Sequence, residues 1–174
     1  MTVENLRDRL QDFAKDIRLN LSSVLKEDPA SGLSLKQIYG VALASAYATR
    51  HPDVIAAVES DSAALLSPAE MTAAKASATV MAMNNIYYRF AHLAQDAEFS
   101  KMPVGLRMNV IANPGIAKAD FELYSLAVSA LNGCGLCIES HVKTVEHGGI
   151  SKQGMQHAVK IAAVLNAAAQ GLAI

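Results

Sequence analysis

The sequence predicts an all-α fold: one helical domain over residues 1–174 built around an internal helical repeat. Three observations carry this expectation. Apolar residues recur at steps of three and four with hardly any strand-like alternation. Helix-start signatures stand at Ser34 with Gln37 and at Ser67 with Glu70. Two stretches of the chain also align with each other. A length of 174 residues suits one hydrophobic core and is too short for two independent ones.

In chain order, Leu6, Leu10, Phe13, Ile17, Leu21 and Val24 line one face and predict an amphipathic helix of roughly 20 residues. EDPASG, residues 27–32, breaks it. Ser34 then caps a helix through LKQIYGVALASAY, and His51-Pro52 reads as a loop. Ser67, followed by Pro68 and Glu70, opens a second capped helix that runs into MAMNNIYYRF, residues 81–90. Met102-Pro103 and Asn113-Pro114-Gly115 read as loops. The segment DFELYSLAVSALN is helical up to Asn132-Gly133, a new helix starts near Cys134, and Ser151 opens the last one.

The repeat emerges when residues 35–47 are set over 120–132, which matches Tyr39 with Tyr124 and Ala42 with Ala127. After a one-residue slip, Ser67, Met71, Ala74, Ala78 and Val80 fall over Ser151, Met155, Ala158, Ala162 and Val164. The approximate copies are residues 34–100 and 119–174. Thr49, Pro52 and Ala56 occupy in the first copy the places of Cys134, Cys137 and His141. Scaffold and chemistry would thus be divided between the two.

Composition excludes several classes of function. Lys and Arg number 15 against 16 Asp and Glu, so there is no basic stripe for nucleic acid. No run approaches the ~18 consecutive apolar residues of a membrane span. The opening MTVENLRDRLQDF lacks the basic start and apolar centre of a signal peptide, so a cytoplasmic location is expected. In a reducing compartment, two cysteines are more often catalytic or metal-binding than a structural bridge.

Both cysteines lie in GCGLC, residues 133–137. On a helix, Cys134, Cys137 and His141 fall within about 60° of one another. Positions three apart also place the α-carbons within the roughly 4.4–6.8 Å span a disulfide tolerates. His141 is one turn from Cys137 and serves it more directly, which assigns attack to Cys137 and resolution to Cys134. The helix N-terminus favours a thiolate at Cys134 instead, so the two effects point to different sulfurs. Glu122 stands on the preceding helix. If the helices fold back at Gly133, Glu122 lies roughly 16 Å down one and His141 roughly 10 Å down the other. A carboxylate there would fix the imidazole tautomer and raise its basicity.

Thiol acidity alone does little. Lowering a cysteine pKa from ~8.5 to ~6.5 raises the thiolate fraction at pH 7 about 25-fold, while lower basicity removes a factor of roughly 8. Peroxide chemistry would depend on positioning and on a proton for the leaving oxygen. Two bland readings remain open: a pair of small core residues, or a zinc site drawing on Cys134, Cys137, His141 and Glu122. A thioredoxin-like module lacks its strand–helix–strand surroundings. His51, His92, His147 and His157 are expected to be solvent-exposed or capping. Tyr87, Tyr88, Arg89 and Phe90 suggest packing and subunit contact, and Asn84 and Asn85 a polar contact within an oligomer.

Glu122, eleven residues, Cys134-Gly-Leu-Cys137, three residues and His141 form a pattern that resembles the E-x11-C-x-x-C-x3-H signature of the AhpD group of alkyl hydroperoxide reductases, within the carboxymuconolactone decarboxylase-like superfamily. The resemblance covers essentially the whole chain, including residues 81–90 and 105–134. It implies an all-helical fold with an internal repeat, assembled as a homo-oligomer, commonly a trimer. It also implies a thiol-dependent peroxidase and adaptor. Electrons would come from the dihydrolipoyl group of a lipoylated dehydrogenase component and pass to the peroxiredoxin AhpC, with no bound cofactor or metal. By position, Cys137 would form the sulfenic acid, Cys134 would be its proton donor and disulfide partner, and Glu122 with His141 the proton relay. Leu136 stands where some members carry a histidine, so no proton transfer can be assigned to it. The alternative is a lactone-decarboxylase-type enzyme or non-redox binding protein on the same scaffold, in which the cysteines would be incidental.

Overall fold

The computed structural model describes residues 1–174 apart from the side chain of Ser100. Among the described residues the chain forms ten α-helices and no strand. They are α1 (Val3–Asp8), α2 (Lys15–Val24), α3 (Leu35–Thr49), α4 (Pro52–Ser62), α5 (Pro68–Leu93), α6 (Ala97–Lys101), α7 (Asn109–Ala112), α8 (Lys118–Leu131), α9 (Gly135–His147) and α10 (Lys152–Ala173). No helix of the described residues is long and apolar enough to cross a membrane.

The single N-terminal helix expected over residues 6–24 is in fact broken. A capping box of Thr2 and Asn5 opens α1, a 3-10 turn spans Asp12–Ala14, and α2 follows. One straight helix of that length would extend ~28 Å in one direction. The break instead lets α1 pack against α4 while α2 packs against α10. Leu6, Leu10, Leu21 and Val24 keep their places in the core, but Phe13 is 61% exposed. The His51-Pro52 interruption is likewise no loop. Arg50 adopts a left-handed backbone (φ 61°) that ends α3, and Pro52 is the first residue of α4, where a missing N–H costs nothing.

Helices α3 and α8 form the centre. Every residue from Val41 to Ala46 and from Phe121 to Ser129 is buried, the pattern of helices surrounded on all sides. They meet at Gly40, where an added Cβ would lie 2.0 Å from the Tyr124 hydroxyl oxygen, with Tyr124 itself fully buried. Helices α5 and α10 pack against both members of this central pair. His157, expected to be exposed or capping, is buried on α10 and takes the capping role: its Nε2–H donates to the carbonyl of Val24, the last residue of α2, at 2.8 Å.

A ladder of polar groups fixes α5 against α8. Ser77 and Ser125 hydroxyls pair at 3.1 Å, Asn85 Nδ2 donates to Ser129 Oγ at 2.8 Å, and Asn132 Nδ2 donates to Asn85 Oδ1 at 3.0 Å. Arg89 donates to the Asn132 carbonyl at 2.6 Å. Asn85 is therefore bonded within the chain and not, as the sequence suggested, to a neighbouring subunit. This ladder ends at the turn that carries the cysteines.

Candidate active site

Helix α8 stops in a Schellman turn. The Cys134 N–H donates to the Ser129 carbonyl at 3.1 Å and the Gly133 N–H to Ala130 at 3.2 Å, with Gly133 at φ +70°. No atom crowds a Cβ built on Gly133, so backbone conformation and not space calls for glycine there. The turn places Cys134 at the N-cap of α9, where its Sγ accepts from the Cys137 N–H at 3.4 Å. The two cysteines are joined as a disulfide with their α-carbons 5.3 Å apart.

Antiparallel packing of α9 on α8 brings Glu122 to His141. Glu122 Oε2 lies 2.6 Å from His141 Nδ1, and Oε1 lies 2.7 Å from the Lys118 ammonium one turn back on α8. Burial pushes the Glu122 carboxyl up, but the hydrogen bonds and charges of His141 and Lys118 outweigh it and hold the carboxyl below its ordinary value. As an ionised acceptor, Glu122 takes the Nδ1–H of His141 and turns Nε2 the other way, to 3.3 Å from Met81 Sδ on α5.

A cleft of about 390 Å³ opens over this pair. Met81 and Tyr88 of α5, Ile111 of α7, Leu136 of α9 and Met108 of the preceding loop give it an apolar wall; Glu122, Cys137 and His141 reach it from the other side. The sulfurs are not equivalent. Cys137 is 7% exposed and lines the cleft, whereas Cys134 is 0% exposed and lies behind it. Accessibility thus separates two cysteines that helix geometry and thiol acidity pulled in opposite directions. Among the described residues no three His, Cys, Asp or Glu side chains are placed to hold a metal ion together, and both Glu122 oxygens already have cationic or N–H partners.

The four residues singled out by spacing meet at one place. Lys118, Met81 and Asn84 join them. Lys118 was legible as an i, i+4 partner of Glu122 on one helix. Met81 had no signal, because nothing in the spacing ties α5 to the cysteine turn. Tyr88 lines the cleft, while Phe90 lies on the surface with its ring 5.0 Å from that of Phe99. Of the remaining histidines, His92 is exposed, His147 contacts the Lys143 carbonyl in the last turn of α9, and His51 occupies the N-cap of α4 without a side-chain cap bond.

The model of the carboxymuconolactone decarboxylase family matches residues 97–173, the span that holds α6 to α10 and the whole cysteine turn. Relatives extend the likeness to almost the full chain. A protein of Coxiella burnetii (strain RSA 493 / Nine Mile phase I) named alkyl hydroperoxide reductase AhpD is 56% identical over 97% of this chain and 95% of its own length. Proteins of the same name from Rhodopseudomonas palustris (strain BisA53) and Rhodospirillum centenum are 54% and 53% identical over 97% of this chain, covering 92% and 89% of theirs. Helical architecture, the cysteine turn and identity over nearly the entire length agree, and the chain belongs to the AhpD family of carboxymuconolactone decarboxylase-like proteins.

Proposed function

We propose that the protein is an antioxidant thiol-dependent peroxidase and disulfide reductase that turns alkyl hydroperoxides into alcohols through a Cys134/Cys137 dithiol–disulfide cycle. The observation that carries the reading is a closed Cys134–Cys137 pair with one sulfur on an apolar cleft and a buried His141–Glu122 pair beside it. The relatives' printed name supports the substrate class.

In the reduced protein, the Cys137 thiolate attacks the terminal oxygen of R–O–O–H. The S–O bond forms and the O–O bond breaks. The departing alkoxide takes the Cys134 proton and leaves as alcohol, and Cys137 is now a sulfenic acid. The Cys134 thiolate then displaces hydroxide, which departs as water with a proton relayed through His141 and Glu122. Cys134 is suited to carry charge because it caps α9, whose first N–H groups face it. A dithiol restores the pair. That reductant is the dihydrolipoyl group of a lipoylated dehydrogenase component, and the reduced protein in turn reduces the peroxiredoxin AhpC in the cytoplasm. A lactone decarboxylase would have no use for a closable dithiol.

The same reading includes duplication and assembly. Each of α3–α5 and α8–α10 is two medium helices followed by a long one opened by a serine cap, and we read the chain as one domain of two such units. Ile86, Phe90 and Leu93 are exposed on successive turns of α5, which fits burial in a homo-oligomer, a trimer by family likeness.

Replacement of Cys137 by serine tests the chemistry. Cys137→Ser is expected to abolish peroxide turnover with dihydrolipoamide as reductant while leaving the helical fold intact. A Cys137→Ser protein with full turnover would sink the mechanism.

A further inference from the structure

Helix α5 carries two consecutive buried asparagines with opposite fates. Asn85 is committed to the scaffold through Ser129 and Asn132. Asn84 is 4% exposed, and its Oδ1 is buried with no hydrogen-bond partner among the described residues. Buried side-chain amides are almost always bonded, so an orphaned one needs a reason. Its position gives one. Asn84 follows Met81 by three residues and precedes Tyr88 by four, on the helix face that walls the cleft, and it lines that cleft together with Cys137 and His141. It is the amide that α5 offers to a cleft whose other α5 residues are Met81 and Tyr88, the Tyr88 hydroxyl facing the Met108 sulfur.

We propose that the Asn84 side-chain amide is a substrate-binding group that holds the hydroperoxyl end of the peroxide against Cys137. The inference rests on the dithiol-peroxidase reading and adds a residue which that reading does not use. A hydroperoxide has one O–H donor at its terminal oxygen and acceptor lone pairs at the oxygen bearing the alkyl group. A carboxamide turned about its terminal torsion so that both its atoms face the cleft matches both: Oδ1 accepts the terminal O–H, and Nδ2 donates to the alkyl-bearing oxygen. That pairing presents the terminal oxygen to the Cys137 thiolate and places a donor on the oxygen where charge develops as the O–O bond breaks. The alkyl group then lies along Met81, Met108 and Ile111. A dithiol reductant gains little from the same amide, since S–H is a weak donor.

The test separates the half-reactions. Pre-reduced wild type, Asn84→Leu and Asn84→Ala are mixed with tert-butyl hydroperoxide or hydrogen peroxide, and the rate of thiol loss is followed; the disulfide forms are then mixed with dihydrolipoamide and the rate of reduction is followed. Both variants are expected to react with either peroxide at least about tenfold more slowly than wild type, from the loss of a hydrogen bond to a charged transition state. Reduction by dihydrolipoamide is expected to stay within about twofold, since no strong hydrogen bond is lost to a thiol. Asn84→Leu, which removes an amide without a partner, is expected to melt no lower than wild type, whereas Asn85→Leu melts lower. An unchanged peroxide rate in both variants, or a slowed dihydrolipoamide step alone, would overturn the assignment. If wild type itself loses no thiol to peroxide, the dithiol reading fails first and this inference with it; active wild type with unaffected variants brings down Asn84 alone.

Discussion

At His141 the imidazole is held by Glu122 at Nδ1, and its Nε2 lies 3.3 Å from the Met81 sulfur. The carboxylate sets the tautomer, and His141 together with Lys118 keeps that carboxylate ionised despite burial. Glu122→Gln removes the charge and the capacity to carry a proton while keeping the shape and one accepting oxygen. It is expected to slow peroxide turnover by about 10²-fold, the usual worth of a positioned proton-transfer group. Its effect on stability has a defined sign. A carboxyl held below 4.5 in the folded chain contributes stability above the ordinary carboxylate range and loses it as pH falls through the depressed folded value. The stability gap between wild type and Glu122→Gln is therefore expected to be widest at neutral pH and to close in acid. Denaturant titrations at pH 7 and below pH 4.5 would show it, and a gap that widens in acid would contradict the assignment. Spacing alone suggested that Glu122 and His141 could meet, because a fold-back at Gly133 leaves them only a modest axial offset. It could not supply Met81 or the unpaired state of Asn84, which depend on how α5 crosses the α8–α9 hairpin.

Among the elements, α3 and α8 approach closely enough that Tyr124 occupies the space beside Gly40. Gly40→Ala would raise helix propensity by about 1 kcal/mol. Overpacking against a buried ring costs about 1–3 kcal/mol or more. The clash should win, and Gly40→Ala is expected to lower the denaturation midpoint; a raised midpoint would mean that the helices separate freely. Helix starts with a side-chain cap were readable because the capping box is local: Ser34 with Gln37 and Ser67 with Glu70 both form as written. The N-terminal helix was misread for the complementary reason. Leu6, Leu10, Leu21 and Val24 are apolar at helical spacing and are all buried, yet a period does not reveal that α1 and α2 serve different partners.

Across the whole molecule, the arrangement divides labour. The helices α3 to α5 supply a large part of the core, and α5 supplies one wall of the cleft, whereas α8 and α9 supply the sulfurs, the imidazole and the carboxylate. Fold class was legible because nearly every segment had a helical period and breakers between them. Burial of Cys134 and exposure of Cys137 to the cleft were not, since both lie within one turn of the same helix and only the packing of α5 and α8 tells them apart. The central claim is that this pair cycles between dithiol and disulfide at the expense of a peroxide. The direct measurement is a thiol count on the pre-reduced protein before and after one equivalent of an alkyl hydroperoxide, followed by re-reduction with dihydrolipoamide. Loss of both thiols of each chain and their return with dihydrolipoamide is the expected result; survival of both thiols after the peroxide would contradict it.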